Sequence, residues 1–563
     1  MTAPGTGASA PGPARAEGVA LSPADRLSAL SWPLLAVAAA LLVVTPVAFL
    51  SVSVLDPSVD VWVQQWRTRL PSQLSRTAGL LGGVAVGTLL LGTGLAWLVS
   101  AYRFPGSRVF GWLLVAPLAM PSYVLGFVVL SVAGYTGPVQ GAWRAVFGDG
   151  AWFPEVRSLG GAVVVFTLVL YPYVYLLARA ALADQAGAAY EAARTLGAGP
   201  SEALRRVTVP LLRPALAGGA AIVMMETLTD FATVQYFGVD TVSVGVFRIW
   251  RGTFDRDAAS ELATLVLLVA LAVVVVERVL RGRARFGQAG GAGGGVRTRV
   301  LSGWRAGAAT AACSAVVGLA FAAPTTQLVV WAVGEALGPR GTPLLGRFSG
   351  FLGNSLLLAA VTAVVCVVVA VVVTNAHRVS RLRLTAAAAR LSGVGYGLPG
   401  PVVAIGVVLA LVAVDDLLGL VGTGLPGLVA TGSFLGLVYA YVVRFLAPGI
   451  NAVEAGTGQI PEEVTASARS LGARPSRVTV RTHLPLARAS VLTAAVLVAV
   501  DAVKELPVAL LLRPIGFDTL PVWTWNLASE SRFDQAALPA LAVVTVAVIP
   551  VILLSRHLAA GPR

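Results

Sequence analysis

The chain has 563 residues, of which 56% are hydrophobic and only 12% are charged. Soluble globular proteins carry about 25% charged residues, so this composition excludes that class and indicates a protein embedded in a membrane. The formal net charge of +14 does not indicate a nucleic-acid partner, because most arginines lie between apolar segments, as they do in the cytoplasmic loops of membrane proteins.

Apolar segments of about 20 residues, the length that crosses about 30 Å of hydrocarbon, occur twelve times after a predicted disordered tail at residues 1–30. Pro117, Pro121 and Pro399 interrupt the third and ninth segments, where we expect bends that fix the helix shape. The predicted spans are 33–55, 77–101, 109–134, 160–180, 215–236, 262–280, 306–334, 351–375, 391–414, 423–445, 489–511 and 536–555.

The arginine distribution predicts the orientation of these spans. Loops rich in arginine alternate along the chain with loops that contain fewer arginines, in the order expected if the N-terminus is cytoplasmic. With twelve spans both termini are then cytoplasmic, although some arginines also fall in the outer loops. The arginine-rich segments are 102–108, 178–213, 281–305, 376–390 and 465–488.

The chain contains an internal repeat. Residues 31–281 and 305–557 form two predicted halves of six helices each, joined by a linker at 282–304 that is rich in glycine and arginine. Sequence in one half matches the other at an offset of 275 residues. The matching positions in the first half are Arg194, Leu196, Gly197, Ala198, Pro200, Ser201, Arg206, Pro210, Leu211 and Arg213, with Glu226 and Asp230 equivalent to Asp501 and Glu505.

The repeated polar segments each predict two short helices with a bend between them at the cytoplasmic surface. Each copy has a glycine suited to a left-handed helix end, a proline suited to a first helical turn, and a second proline that limits or kinks the next helix. An amphipathic loop on anionic lipid is one interpretation; two matching copies favour docking of a cytoplasmic partner. These positions are Gly197, Pro200 and Pro210, then Gly472, Pro475 and Pro485.

The first copy, EAARTLGAGPSEALRRVTVPLLRPAL at 191–216, resembles the EAA loop of binding-protein-dependent ABC importer permeases. The resemblance implies an all-α membrane protein of the type I importer fold, whose loops dock on two copies of a cytoplasmic ATPase. In the second copy Ala466 and Ser467 replace the Glu and the first Ala. The implied coupling residues are Glu191, Ala192, Ala193, Arg194, Gly197, Pro200, Arg205, Arg206 and Pro210, and Ala466, Ala468, Arg469, Gly472, Pro475, Arg481 and Pro485.

Two further stretches narrow the resemblance. ETLTDFATVQYFGVDTVSVGVFRIW at 226–250 and KELPVALLLRPIGFDTL at 504–520 are similar to the iron(III)-type branch, whose permeases often fuse both halves. The branch implies ferric iron as cargo, an extracytoplasmic binding protein, and a place in the bacterial inner membrane. Related fused permeases carry thiamine, polyamines or phosphonates, so those cargoes stay open.

The chain has one lysine, Lys504, in a predicted span. A Walker A loop needs a lysine beside glycines in a phosphate-binding turn, so the chain is expected not to be an ATPase. ATP and magnesium are then expected on partner subunits, and no cofactor or metal on this chain. A secondary transporter with two repeated halves remains the alternative. The cysteines, Cys313 and Cys366, are interpreted as small core residues.

Four acids fall at mid-depth in the fifth and eleventh spans, where each charge costs about 2.5–3.5 kcal/mol on insertion scales. We expect them to line the interface between the halves. They form either salt bridges, such as Lys504 with Glu226 or Asp230, or part of the substrate path. Carboxylates suit a hard cation such as ferric ion, and equally a polyamine. The candidates for the path are Glu226, Asp230, Asp501, Lys504 and Glu505.

Overall fold

A computed structural model describes residues 23–53, 59–183, 185–252, 256–281, 296, 298–338, 341–380, 382–420 and 430–559. Most of the predicted tail and the glycine-rich part of the linker, 282–295, lie outside these ranges. The first helix begins at Pro23, so residues 23–30 are helical and the prediction of disorder is wrong there.

The described part of the first half is helical apart from short connections. Its helices are α1 (Pro23–Ser53), α2 (Val59–Thr68), α3 (Leu70–Ala101), α4 (Ser107–Leu113), α5 (Ser122–Ala133), α6 (Pro138–Phe147), α7 (Leu159–Ala183), α8 (Gln185–Thr195), α9 (Pro200–Ala203), α10 (Val209–Thr229), α11 (Phe231–Tyr236), α12 (Val242–Gly252) and α13 (Arg256–Arg281). A 3₁₀ turn spans Ala116–Ala119, and a π-helical turn at Leu204–Thr208 joins α9 to α10.

The described part of the second half is also mostly helical. Its helices are α14 (Gly303–Val317), α15 (Ala323–Leu337), α16 (Gly341–Ser380), α17 (Arg383–Ser392), α18 (Gly400–Leu420), α19 (Phe434–Gly458), α20 (Glu462–Ser470), α21 (Pro475–Val478), α22 (Leu484–Leu486), α23 (Arg488–Lys504), α24 (Pro507–Leu512), α25 (Leu520–Ser529) and α26 (Phe533–Ala559). A 3₁₀ turn spans Val394–Gly397, and π-helical turns span Gly318–Ala322 and Thr479–His483.

Within the described residues, ten helices are long and apolar enough to cross a membrane, or eleven if a bent pair is one span. Each of the twelve predicted spans overlaps an apolar helix. The difference in number arises because the described apolar part of α26, Phe533–Val548, is shorter than a full span. The predicted span at 423–445 is displaced, since α19 covers Phe434–Gly458.

The fifth and eleventh predicted spans are not continuous helices. The first breaks at Asp230, between α10 and α11, and the second at Glu505, between α23 and α24. The third and ninth spans break beside their prolines, between α4 and α5 and between α17 and α18. Hydropathy did not indicate the breaks at the two acids, because the apolar pattern continues on both sides of them.

Polar side chains satisfy backbone groups that the breaks leave without helical partners. The hydroxyls of Tyr171 and Tyr175 donate to the carbonyls of Leu114 (2.8 Å) and Gly111 (3.0 Å) at the end of α4. The guanidinium of Arg444 donates to the carbonyl of Leu398. Inside a membrane such groups find no water, so irregular backbone is stable only where the surrounding protein supplies these bonds.

The two halves are interleaved. Helix α1 packs against α16, α17 and α18 of the second half. In return, Ala309 and Cys313 of α14 lie in a core cluster with Leu95 and Tyr171 of the first half. The last part of the linker contains β2 (Arg299–Val300), which pairs in parallel with β1 (Tyr102–Arg103). The largest apolar core contains residues from both halves, which makes them one structural unit.

Candidate functional site

The repeated loops contain the same helix-ending bend. Gly197 and Gly472 have φ values of +92° and +79°, the left-handed conformation predicted for them. In each loop the glycine N–H donates to the arginine carbonyl three positions earlier, at 3.2 Å in the first and 2.9 Å in the second. The N–H of the next alanine donates to the alanine carbonyl five positions earlier, at 3.1 Å in both.

Beyond the bend, the prolines act differently in the two copies. Pro200 and Pro475 begin α9 and α21. Pro210 lies in the first turn of α10, which continues directly from the π-helical turn at Leu204–Thr208 without a bend. In the second copy, which contains Pro485, the segment 476–486 meets the helix 488–504 at an angle of 80°. The glycine bend is therefore the same in both loops, but the short helix after it continues into the next long helix only in the first copy.

A leucine that sequence analysis noted only as a repeat match is the most exposed apolar side chain of each loop. Leu196 is 89% exposed and Leu471 is 88% exposed, each directly before the left-handed glycine. The half-buried coupling candidates are Glu191, Ala193, Arg194, Pro210 and Ala468. The exposed candidates are Ala192, Gly197, Pro200, Arg205, Arg206, Ala466, Arg469, Gly472, Arg481 and Pro485.

The loops are held to the rest of the protein by different contacts. In the first, Tyr190 packs edge-on against Trp97, with ring centroids 5.0 Å apart. The equivalent residue in the second is Thr465, whose hydroxyl lies 3.0 Å from Nε2 of His483. Arg378 of α16 also donates to the carbonyl of Ile460 (2.8 Å). An aromatic contact in one half is therefore replaced by a polar network in the other.

A cavity of about 120 Å³ lies between the two halves, where the helices are broken. All five path candidates line it, although they come from different halves. We call it the acid-lined cavity. Its polar lining consists of four acids (Glu226, Asp230, Asp501 and Glu505), two bases (Arg444 and Lys504), and the hydroxyl residues Ser122, Tyr123, Tyr173, Thr229 and Tyr396.

Two of the acids cap the broken helices at equivalent positions. Asp230 accepts hydrogen bonds from the backbone N–H of Thr233 (2.8 Å), from its hydroxyl (2.5 Å), and from the hydroxyl of Ser122. Glu505 accepts one from the backbone N–H of Val508 (3.1 Å). Thr233 and Val508 are also 275 residues apart, so each half contains the same carboxylate cap on the helix after its break.

Arg444 connects three of the broken segments, and sequence analysis missed it. Its Nε lies 3.5 Å from Oε2 of Glu505, with both side chains at least nine-tenths buried. It also donates to the hydroxyl of Thr229 in the first half (3.3 Å) and to the carbonyl of Leu398. The only signal in the sequence is an arginine inside the apolar stretch FLGLVYAYVVRFLAPG.

Lys504 pairs differently from the suggestion made from the sequence. Its Nζ lies 2.9 Å from Oδ1 of Asp501 on the same helix, so its direct ion pair is not with Glu226 or Asp230. Residues three positions apart face each other on a helix, so the local partner is within reach. Among the residues that the structure describes, the Glu226 carboxylate makes no hydrogen bond and no ion pair.

A second, larger cavity of about 620 Å³ lies beside aromatic contacts between the two halves, which we call the aromatic layer. The layer consists of Phe127 stacked on Phe533 across the halves, at 6.0 Å between ring centroids, and Tyr236 donating to the carbonyl of Trp525 at 3.4 Å. Tyr236 and Phe533 line the larger cavity, together with Glu155. Two aromatic residues of this layer therefore form part of the wall of the larger cavity.

Both cysteines are buried free thiols, in agreement with their interpretation as core residues. Within the ranges that the structure covers, no group of three or more His, Cys, Asp and Glu residues is placed to hold a metal ion. The acid-lined cavity is therefore not a closed metal centre in this conformation.

Comparison with known proteins gives two family matches in one chain. Residues 88–281 and 367–561 each match the family described as "Binding-protein-dependent transport system inner membrane component". The chain is similar to the Fe(3+)-transport system permease protein FbpB 2 of Haemophilus influenzae, with 25% identity over 499 residues, 87% of this chain and 91% of the relative.

Shorter relatives align with less than half of the chain. The sulfate transport system permease protein CysT of Salmonella typhimurium is 26% identical over 246 residues, 42% of this chain and 86% of the relative. The putative 2-aminoethylphosphonate transport system permease protein PhnU of Salmonella paratyphi A is 25% identical over 221 residues, 38% of this chain and 76% of the relative.

Proposed function

This chain belongs to the family of binding-protein-dependent transport system inner membrane components, and on that premise we propose that it is the fused permease of an ABC importer for ferric iron. In this proposal the protein lies in the bacterial inner membrane with both termini in the cytoplasm. An extracytoplasmic binding protein delivers the cargo. Two copies of a cytoplasmic ATPase, which bind ATP and magnesium, supply the energy.

The two loops support docking of a two-fold ATPase assembly. Each presents a left-handed glycine and a leucine exposed by nearly 90% at the same repeat position. Single exposed apolar side chains are common, but the same leucine exposed at the same repeat position in both halves supports a paired contact with another protein. ATP-driven closure of the ATPases would then move both loops together and tilt the two halves.

The charge of the acid-lined cavity is the observation that carries the choice of cargo. Four carboxylates and two basic groups line it, which leaves a formal excess of two negative charges when all six are ionised. A surplus of carboxylate in a low-dielectric site attracts cations and repels anions. The cavity therefore favours a metal cation over the sulfate named for the shorter relatives.

The size of the cavity favours a small cargo. Its volume of about 120 Å³ is less than the ~150 Å³ that accommodates one benzene molecule. A metal ion with part of its hydration shell fits this space in the present conformation, whereas thiamine or an extended polyamine would require the cavity to widen. Carboxylate and hydroxyl oxygens are hard donors, which suit a hard cation such as ferric ion.

The aromatic layer supports alternating access. It joins the two halves where Tyr236 and Phe533 line the larger cavity, which suits a gate at that cavity. Because Phe127 and Tyr236 belong to the first half while Phe533 and Trp525 belong to the second, tilting the halves apart would open the layer.

The broken helices also suit the alternative of a secondary transporter, in which substrate sites lie at interrupted helices near mid-membrane. The membership of an importer family outweighs this feature. The two proposals differ in their need for ATP, which an uptake assay measures directly.

The test uses the full-length permease in lipid vesicles with its cognate ATPase and binding protein. We expect ATP-dependent uptake of labelled ferric iron and no uptake of labelled sulfate, thiamine or spermidine. Gly197→Val and Gly472→Val force a β-branched residue into the left-handed region, at a cost of about 1–2 kcal/mol each. These variants should insert normally and lose ATPase stimulation. Iron uptake that needs no ATP would refute the coupling proposal, and uptake of sulfate alone would refute the cargo.

A further inference from the structure

The two repeated loops differ in how they join the membrane helices that follow them. In the first, Pro200–Thr229 is one continuous helical segment, which ends at the wall of the acid-lined cavity. In the second, the segment 476–486 meets the helix 488–504 at an angle of 80°. A push on the first loop is therefore transmitted along the axis of α10 to the cavity. The bend interrupts this axial path in the second loop.

A half-buried arginine at the end of α16 holds the start of the second loop. The guanidinium of Arg378 donates to the carbonyl of Thr457 and to that of Ile460 (2.8 Å), where α19 ends. It also lies 3.5 Å from the hydroxyl oxygen of Thr465, one helical turn into α20. Because a guanidinium carries five N–H donors in a fixed geometry, one side chain can hold several acceptors together. Arg378 therefore fixes the entry of the loop to α16.

The later part of the second loop is tied to the same helix. The hydroxyl of Thr479 donates to Oδ1 of Asn375 at 2.6 Å, and Asn375 lies one turn before Arg378 on α16. The hydroxyl of Thr465 lies 3.0 Å from Nε2 of His483, which joins the start of the loop to its last helical turn. Buried polar networks whose members are hydrogen-bonded make a structure rigid. The second loop and the end of α16 therefore form one polar cluster.

The helices that enter and leave the second loop approach each other closely. A Cβ placed on Gly456, in the last turn of α19, would lie 2.3 Å from Cβ of Ser490 in the first turn of α23. Helix α16 contacts both α19 and α23. Of the residues that line the acid-lined cavity, Arg444 belongs to α19, and Asp501 and Lys504 belong to α23. A movement shared by the loop and α16 would therefore reach the cavity through these two helices.

We propose that Arg378 is a positioning residue for transport. Its hydrogen bonds make the second loop move as one body with α16 and α19, so that the force of the second ATPase reaches the acid-lined cavity despite the bend. This inference rests on the proposed function and assigns a residue to its coupling step. Arg378 acts through the carbonyls that it holds, not through contact with the cargo.

The first half supplies a matched control. Arg103 lies 275 positions before Arg378, in AYR at 101–103 against AHR at 376–378. Its backbone belongs to β1, and its side chain is exposed. The start of the first loop is held to α3 by the contact between Tyr190 and Trp97 instead. Removing the guanidinium of Arg103 should therefore leave both loops in place.

The experiment uses the full-length permease in lipid vesicles with its cognate ATPase and its loaded binding protein. Arg378→Met removes the guanidinium and keeps much of the apolar volume. We expect the saturated rate of ATP-dependent uptake to fall at least tenfold, while the Kd for the ATPase and the KM for the loaded binding protein change less than twofold. The ATP hydrolysed per ion taken up should rise at least fivefold, because the first loop still responds to the ATPase. Arg103→Met should match wild type in all four quantities.

A wild-type uptake rate in Arg378→Met, or an equal loss in Arg103→Met, would overturn the proposal. So would a tenfold loss of ATPase binding in Arg378→Met at an unchanged thermal midpoint, because the residue would then only shape the docking surface. Arg378→Lys keeps the charge but has fewer donors in a less rigid geometry, and its uptake rate should lie between those of Arg378→Met and wild type. This milder variant keeps the test valid if the methionine variant does not fold, and an uptake rate equal to that of wild type would contradict the role of the guanidinium.

The outcomes separate this inference from the proposed function. If wild-type permease couples uptake to ATP and Arg378→Met does so equally well, the positioning role fails while the importer stands. If wild-type permease neither binds the ATPase nor needs ATP for uptake, the importer proposal fails together with this role.

Discussion

Replacing Arg444 with methionine tests the connection between the two halves. The change keeps much of the apolar volume but removes the charge that faces Glu505, with the two side chains 6% and 8% exposed. Removing one partner of a buried ion pair typically costs about 3–5 kcal/mol, because the remaining charge is left uncompensated. The hydrogen bonds to Thr229 and Leu398 are lost as well, so we expect a loss in the upper part of this range.

The free energy of unfolding, measured by denaturant titration in detergent micelles, gives the magnitude. The double variant Arg444→Met with Glu505→Gln removes the uncompensated charge and should recover more than 1 kcal/mol relative to the sum of the single losses. Arg532→Met is the matched control, because its ion pair with Glu530 is 47% and 61% exposed; such surface pairs contribute about 0–1 kcal/mol. A loss below 1 kcal/mol in Arg444→Met, or strictly additive losses in the double variant, would refute this reasoning.

Two other predictions concern docking and assembly. Leu196→Asp and Leu471→Asp place a charge at the exposed loop tips and should weaken ATPase capture at least tenfold in pull-down titrations, with unchanged thermal stability; equal capture by wild type and both variants would exclude the tips from the interface. Cutting the chain within 282–295 and expressing the halves together should yield a complex that co-purifies, because α1 packs on the second half and α14 on the first. Halves that separate under mild detergent would show that the linker holds them together.

Local patterns in the sequence were sufficient for several features. Composition alone indicated membrane embedding, and apolar length located a helix at each predicted span. The 275-residue offset predicted equivalent bends, and Gly197 and Gly472 both have the left-handed conformation that their position required. These features depend on hydropathy and on backbone preferences of neighbouring residues, which a single sequence contains directly.

The helix breaks and the ion pairs of the cavity could not be predicted from the sequence, because they depend on which helices contact each other. The breaks at Asp230 and Glu505 were missed because apolar residues continue across them. The sequence suggested partners for Lys504 on another helix, whereas its direct ion pair is with Asp501 on its own helix, and the role of Arg444 was not foreseen. Arg444 reaches Thr229, 215 positions away along the chain, and no local pattern reports such a distance.

The sequence by itself therefore determined the class, the repeat, the bent loops and the presence of acids at membrane depth. Only the tertiary structure decided which of those acids cap helices, which form ion pairs, and that Glu226 does neither. The physical reason is that the charge of a buried group is compensated by neighbours in space. Those neighbours are set by how the interleaved halves pack.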